Sequence, residues 1–434
     1  MVNRNHSSMK TLRILIPAFS AFAWLRRGRQ ILLGLALAAY AGGALSAFGQ
    51  GSLTPPGAPA PTMKKLDEIE PRTNLQATPA PAGVDTSNAN YHFVINQPGS
   101  YYLSANLLVT KPNGILINAE GVTLDLNGFQ ISTNNASGNG VEIPFPSHHA
   151  AVRDGTVKGF ALGIVGYSKA CAFRDLTVTG CISYGFSTGT AALFESCRVH
   201  DNSGAAAINA ATGSVLNDCI ASHNTTSYGI TAGEACVLTN CAAYANTGFF
   251  YGINAGAGSS LTNCSAAGNT GTGPTSAGIS TLHGCTLTNC TSSYNRSNAV
   301  NTASTGMGFS LLADSTIKNC TADNNLGDGI RVTSDCLVLE NSCRLNFAGI
   351  HSTDSNNRIE GNNVIANGRG LNVDAAGSLI IKNSASNNTI DYVIAASNRY
   401  GPIIDISAAG APAVSGRSAP DMTTTSHPWA NFSY

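Results

Sequence analysis

The sequence returns to one short pattern, and the interval between returns restricts the fold more than any other feature. In CVLTNCAAYANTGFFYGINAGAGSSLTNCSAAGN, Cys236 to Asn269, Leu-Thr-Asn-Cys occurs twice and an Asn follows each copy. Aligned on cysteine, the series runs Cys197, Cys219, Cys241, Cys264, Cys290, Cys320 and Cys343, with Asn363 and Ser384 read as its continuation. Most steps are 22 or 23 residues, which is solenoid spacing. Three residues before each early Cys stands Phe194, Leu216, Leu238, Leu261, Leu287 or Ile317, and five before stands Ala192, Ser214, Cys236, Ser259, Cys285 or Ser315. An Asn comes after (Asn246, Asn269, Asn295, Asn325, Asn367, Asn388), then Gly with an apolar residue, from Gly229-Ile230 to Gly370-Leu371.

Odd offsets between these slots do not fit one continuous strand of period two, so bends must intervene. Each repeat therefore reads as several short strands joined at corners, and the recurring Gly and Asn are expected to supply those corners because both tolerate positive φ. Turns stacked at ~4.8 Å pair every strand in parallel with its copies above and below. The expected fold is all-β, a parallel β-helix forming a single elongated domain over residues 90–405, with about 13 or 14 rungs and a length near ~60 Å.

The flanks read differently. Arg26, Arg27 and Arg29 precede an apolar run and then small residues, the layout of an export signal over residues 1–49. The run approaches spanning length, so a membrane anchor is the other reading. Residues 50–89 read as a Pro-rich linker, in which Met63, Leu66 and Ile69 share a helical face that suits a short capping helix. Residues 406–434 read as an irregular C-terminal tail. The expectation is an exported protein, extracellular, at the cell surface or periplasmic, not inserted in the membrane after signal cleavage. Only 11% of residues are charged and the formal net charge is zero, which leaves no electrostatic footprint for nucleic acid.

Several stretches, namely QPGSYYL (Gln97 to Leu103), GVTLDLNGFQI (Gly121 to Ile131), RDGTVKGF (Arg153 to Phe160), the Asn-Cys rungs and the closing PWANFSY, carry a resemblance to the exported bacterial right-handed parallel β-helix repeat proteins of the pectin-lyase-like superfamily. The resemblance implies a right-handed solenoid and, more loosely, action on polysaccharide. The acid-rich stretches of polygalacturonase-like hydrolases are missing, as are the Arg-x-Pro-x-x-Arg of pectate lyases and the Asp-Pro-His of alginate epimerases. An enzyme on this scaffold would then be a lyase or epimerase of a uronate polymer from another branch.

Three repeats are stretched between the corner Asn and the next Gly, and insertions at one point of a repeat emerge on one side, often the binding side. These segments carry Phe249, Phe250, Tyr251 and Arg296, with Tyr294 beside them. Rings stack on the apolar faces of sugars and Arg pairs with carboxylate, so these five are the candidate substrate-binding residues; ordinary packing at a corner is the competing account. Two positions after the corner Gly runs an outward column that includes Arg331 and His351, expected ~5 Å apart with Asp335, Asp354 and Asp374 near the next corner. A base and a cation beside carboxylates suit proton abstraction next to a uronate carboxylate, which makes Arg331 and His351 the candidate catalytic pair. Solvated turn residues would look the same.

Twelve Cys in an exported chain invite disulfides, and one-rung spacing permits them. Interchange with Ser, Ala and Asn favours a ladder of small buried thiols instead. No zinc spacing occurs, no cofactor is required, and Ca2+ stays open. Two functions follow: an exported protein that binds, or binds and modifies, extracellular polysaccharide along its loop-bearing side, or a non-catalytic cell-surface or extracellular structural and interaction protein. Oligomeric state is not readable.

Overall fold

The computed structural model describes residues 71–273, 275–298, 305–405, 414–415 and 427–434. The expected signal, most of the linker and the capping helix lie outside the described residues. The rest is the expected parallel β-helix, and its unit is a bent three-strand rung. In one rung Val237–Thr239 runs to a bend at Asn240 (φ 54), Ala242–Tyr244 to a second bend at Ala245 (φ 51), and Tyr251–Ala255 completes the turn. Odd offsets arise because each bend inserts one left-handed residue and so reverses which side faces inward.

Stacked rungs give a 28-stranded sheet, formed by the first two strands of each rung, and a 16-stranded sheet from the third. The stretched repeats add a three-stranded sheet of Thr247–Gly248, Thr270–Gly271 and Arg296–Ser297. Register is in step throughout: Leu216 pairs with Leu238, then Leu261, Leu287 and Ile317, while Ile230, Ile253, Ile279, Phe309, Ile330 and Ile350 form a second inward column. Both columns are sealed from water. No rung buries its apolar residues alone, which is why the pattern persists.

The sheets reach past both expected boundaries. Thr73–Asn74 pairs with Tyr101–Tyr102, and Val84–Asp85 pairs antiparallel with the first long strand. At the other end Asn431–Ser433 lies parallel to Ser384–Ser386 and Ile403–Asp405, so the last residues of the expected tail are sheet.

Two corner assignments need correction. The recurring Asn is not the left-handed residue; the residue before it is, and the Asn side chains form a buried ladder. Asn246 donates from Nδ2 to Asn269 Oδ1 at 3.0 Å and to Ala221 O at 2.9 Å, while its N–H donates to the same Oδ1 at 3.1 Å. The links run from Asn202 to Asn388, and each amide between the ends is satisfied on both sides. Nor does the recurring Gly supply positive φ. A Cβ on Gly329 would lie 2.7 Å from Gly349 O and 2.8 Å from Asn346 Nδ2, so close approach of stacked backbones excludes a side chain.

All twelve cysteines are free and buried, which decides between ladder and bridges. The slot itself continues differently from the sequence alignment: Cys320 is followed by Asn341, Asn362, Asn383 and Asn431, whereas Cys343 pairs with Ala322 and Val364 in the next inward column.

Candidate functional site

The outer face of the 16-stranded sheet carries most of the residues singled out by the sequence. Its strands present one column just before the recurring Gly-apolar pair and another just after it. The first column holds Tyr228 and Tyr251; the second holds Asn254, Ser280, Ser310, Arg331, His351 and Asn372.

Tyr251 is the first residue of its strand rather than a loop residue, and its ring belongs to an aromatic group. Phe250 stacks on Tyr228 at 5.3 Å and 22°, lies 5.7 Å from Tyr251, and meets Phe249 edge-on at 4.4 Å. Phe249 is 45% exposed and supplies the open surface of the group. The cavity under these segments, lined by Phe250, Tyr251, Ser276 and Arg296 among others, is only ≈ 10 Å³ and has room for one water rather than a sugar. A ligand must therefore lie on the outside.

Tyr294 and Arg296 belong to the corner. Tyr294 is the left-handed bend residue (φ 55), exposed at 51%, and has no ring contact with the aromatic group among the described residues. Arg296 donates from Nη1 to Asn324 O at 2.8 Å and from Nη2 to Asn324 Oδ1 at 3.3 Å, which ties its guanidinium to the next rung.

Arg331 and His351 are paired across adjacent strands as expected. The surprise is burial: His351 is 8% exposed although it points outward. Its Nδ1 lies 2.7 Å from Asp328 Oδ2 and its Nε2 2.8 Å from Asp374 Oδ2. Burial, the largest influence, disfavours the imidazolium, but hydrogen bonds and charge from Asp328 and Asp374 together outweigh it and hold the pKa above the usual histidine value. With a carboxylate at each nitrogen, the ring serves as a double donor. Asp328 is fully buried and stands 3.8 Å from Arg331 Nη1; its Oδ1 has no hydrogen-bond partner among the described residues. Asp374 is half exposed and accepts from Asn372 Nδ2 at 2.9 Å, and Asn372 faces Arg369 Nη1 at 3.5 Å.

Of the three aspartates expected near this column, only Asp374 reaches His351. Asp335 is a left-handed bend residue, and Asp354 accepts from the N–H of Ser355. Asp328 was not found from the sequence. Its signal is positional: it precedes the corner Gly329 by one residue, in the outward column that Tyr251 occupies higher up. A second charged group, Asp125 between Arg72 and Arg153 at 2.9 Å each, joins the first rungs, and we read it as structural. Among the described residues no cluster of His, Cys, Asp and Glu is fit to hold a metal ion, and no helix is long and apolar enough to cross a membrane.

No curated protein matches the sequence. Solved structures similar to this chain include the A-module of the mannuronan C-5 epimerase AlgE6 of Azotobacter vinelandii (16% identity, 70% of this chain and 88% of that one, TM-score 0.46). Others are the Dettilon tailspike protein (16% identity, 67% and 60%, TM-score 0.41) and the periplasmic alginate epimerase AlgG (13% identity, 76% and 82%, TM-score 0.41). Residues 251–390 match the family described as right handed beta helix region, and with the same rung repeated on both sides of that stretch, the chain is a right-handed parallel β-helix protein.

Proposed function

We propose that this chain is an exported protein that binds polysaccharide, holding an extended glycan along the outer face of the 16-stranded sheet. The observation that carries the reading is the alignment of two unlike groups on one face. The rings of Phe249, Phe250, Tyr228 and Tyr251 offer apolar stacking surface, and further down the same face Arg331 and Asp374, on either side of His351, offer charged hydrogen-bonding groups. Columns repeating at ~4.8 Å suit a repeating ligand better than a compact one, and a flat face without a deep cavity suits a polymer better than a small molecule.

The test is retention of the purified protein on a panel of immobilised polyuronides and neutral glycans, with and without Ca2+, while the polymer is monitored for new ends or unsaturated sugars. Phe249→Ala is expected to weaken retention across the panel, and Arg331→Ala chiefly on acidic polymers. Normal retention of both variants removes this face as the site. Retention without change in the polymer makes the protein a binding module, and product formation makes it an enzyme.

A further inference from the structure

The clamp on His351 combines a fixed partner and a movable one. Asp328 is wholly enclosed, on the rung before, with Arg331 beside it. Asp374 lies on the rung after, half exposed, with its other oxygen accepting from Asn372 Nδ2 at 2.9 Å. Nothing encloses the Asp374 carboxylate, yet it fills the outward nitrogen of an otherwise buried imidazole. If it swings away, Nε2–H is left pointing at the surface, with Arg331 on one flank and Asn372 and Arg369 on the other. His351 and Arg331 then share a single enclosed carboxylate, Asp328, whose second oxygen has no partner among the described residues, while Arg369 reaches the neighbouring Asn372. That arrangement has the donors to accept a carboxylate from elsewhere in place of its own.

We propose that Asp374 is a displaceable stand-in for a ligand carboxylate: His351 Nε2, with Arg331 and Arg369 around it, forms a subsite for the acid group of an acidic saccharide, and Asp374 occupies the subsite when no ligand does. Asp328 is the positioning residue, orienting the ring through Nδ1 so that Nε2 faces outward. The assignment deepens the polysaccharide reading and rests on it for the identity of the ligand, but the subsite itself is testable without any polymer. Displacement exchanges one carboxylate for another at the same donor, so the gain comes from the additional contacts that a bound saccharide makes along the face.

The experiment uses the full protein with 15N-labelled histidine and acetate as the probe. In the unaltered protein the His351 ring is expected to titrate above an ordinary histidine and to respond weakly to acetate, because Asp374 fills the subsite. In Asp374→Ala the titration shifts down, and added acetate shifts it back up. Arg331→Ala on that background raises the acetate concentration needed. Asp374→Asn, which keeps shape and an acceptor at Nε2 but removes the charge, is expected to lower the titration as Asp374→Ala does and to respond to acetate more weakly, and thermal melts of both check that the fold is kept. An unchanged His351 titration in Asp374→Ala, or a lowered one that acetate does not restore, overturns the proposal. Should acetate restore the titration while no acidic glycan is retained by the protein, the subsite stands and the polysaccharide reading falls.

Discussion

One column of the solenoid is built twice, in two chemistries. From Cys197 to Cys320 the position between the first two strands of each rung is a thiol; from Asn341 to Asn431 it is an amide. Both donate a hydrogen bond to a carbonyl of the rung before: Cys241 Sγ lies 3.4 Å from Leu216 O, and Asn362 Nδ2 lies 2.9 Å from Val338 O. The forward links differ in strength. Asn341 donates from Nδ2 and from its backbone N–H to Asn362 Oδ1, at 3.0 and 2.9 Å, whereas in the thiol half sulfur is the weak acceptor, as from Cys290 N–H to Cys320 Sγ at 3.3 Å. The same backbone therefore tolerates a nearly apolar column and a polar one, and the two halves should differ in what a substitution costs.

The largest expected effect breaks the amide half. Asn362→Ala leaves the N–H and Nδ2 of Asn341 and the carbonyl of Val338 without their partner, all inside the wall, and should cost about 3 kcal/mol or more. Cys241→Ala removes a small buried side chain and one weak donor and should cost about 1 kcal/mol. Urea unfolding of the two variants measures the contrast; equal losses would mean that the column is held by shape alone. Asn362→Cys sharpens it, because the thiol keeps a weak donor in place, and an intermediate loss of about 1–2 kcal/mol is expected.

The cysteines also make a chemical prediction. Burial pushes the Cys171 and Cys181 thiols up to about 11, so neither forms thiolate at neutral pH. All twelve cysteines lie in the buried wall, and none is expected to react with a thiol reagent in the folded protein, while all twelve react after unfolding in denaturant. Labelling of a subset in the native state would show that some rungs open locally.

The same contrast explains what the sequence could and could not disclose. Leu238, Ile253 and Asn246 were legible because each recurs in step with its own strand, and columns of identical residues follow from stacking. The switch of chemistry was not: in ENSCRLN the eye follows Cys343, but the register places Asn341 in the slot, two residues earlier, because that rung is shorter. For the site, Arg331 and His351 could be paired from spacing alone. Asp328 could not, since its column holds Tyr251, Ala277 and Met307 on other rungs and carries no repeated signal. Its burial on an outward face depends on neighbours that converge only in three dimensions.

The smallest expected effect concerns pH and separates the charged group from the amide ladder, whose side chains do not titrate. His351 carries a folded pKa above the ordinary value of 6.5, so the folded protein binds the ring proton more tightly than the unfolded chain does. The resulting stabilisation is fully present below that unfolded value and is lost as the pH rises through the higher folded one. Melting temperature should therefore decline over that window in the unaltered protein. In Asp374→Asn, which lacks one of the two carboxylates that hold the proton, the decline should be shallower and should begin at lower pH. Asn362→Ala, by contrast, should lower the melting temperature equally on both sides of the window, because the amide that it removes does not titrate. A decline that is the same in Asp374→Asn as in the unaltered protein would assign it to a group other than His351.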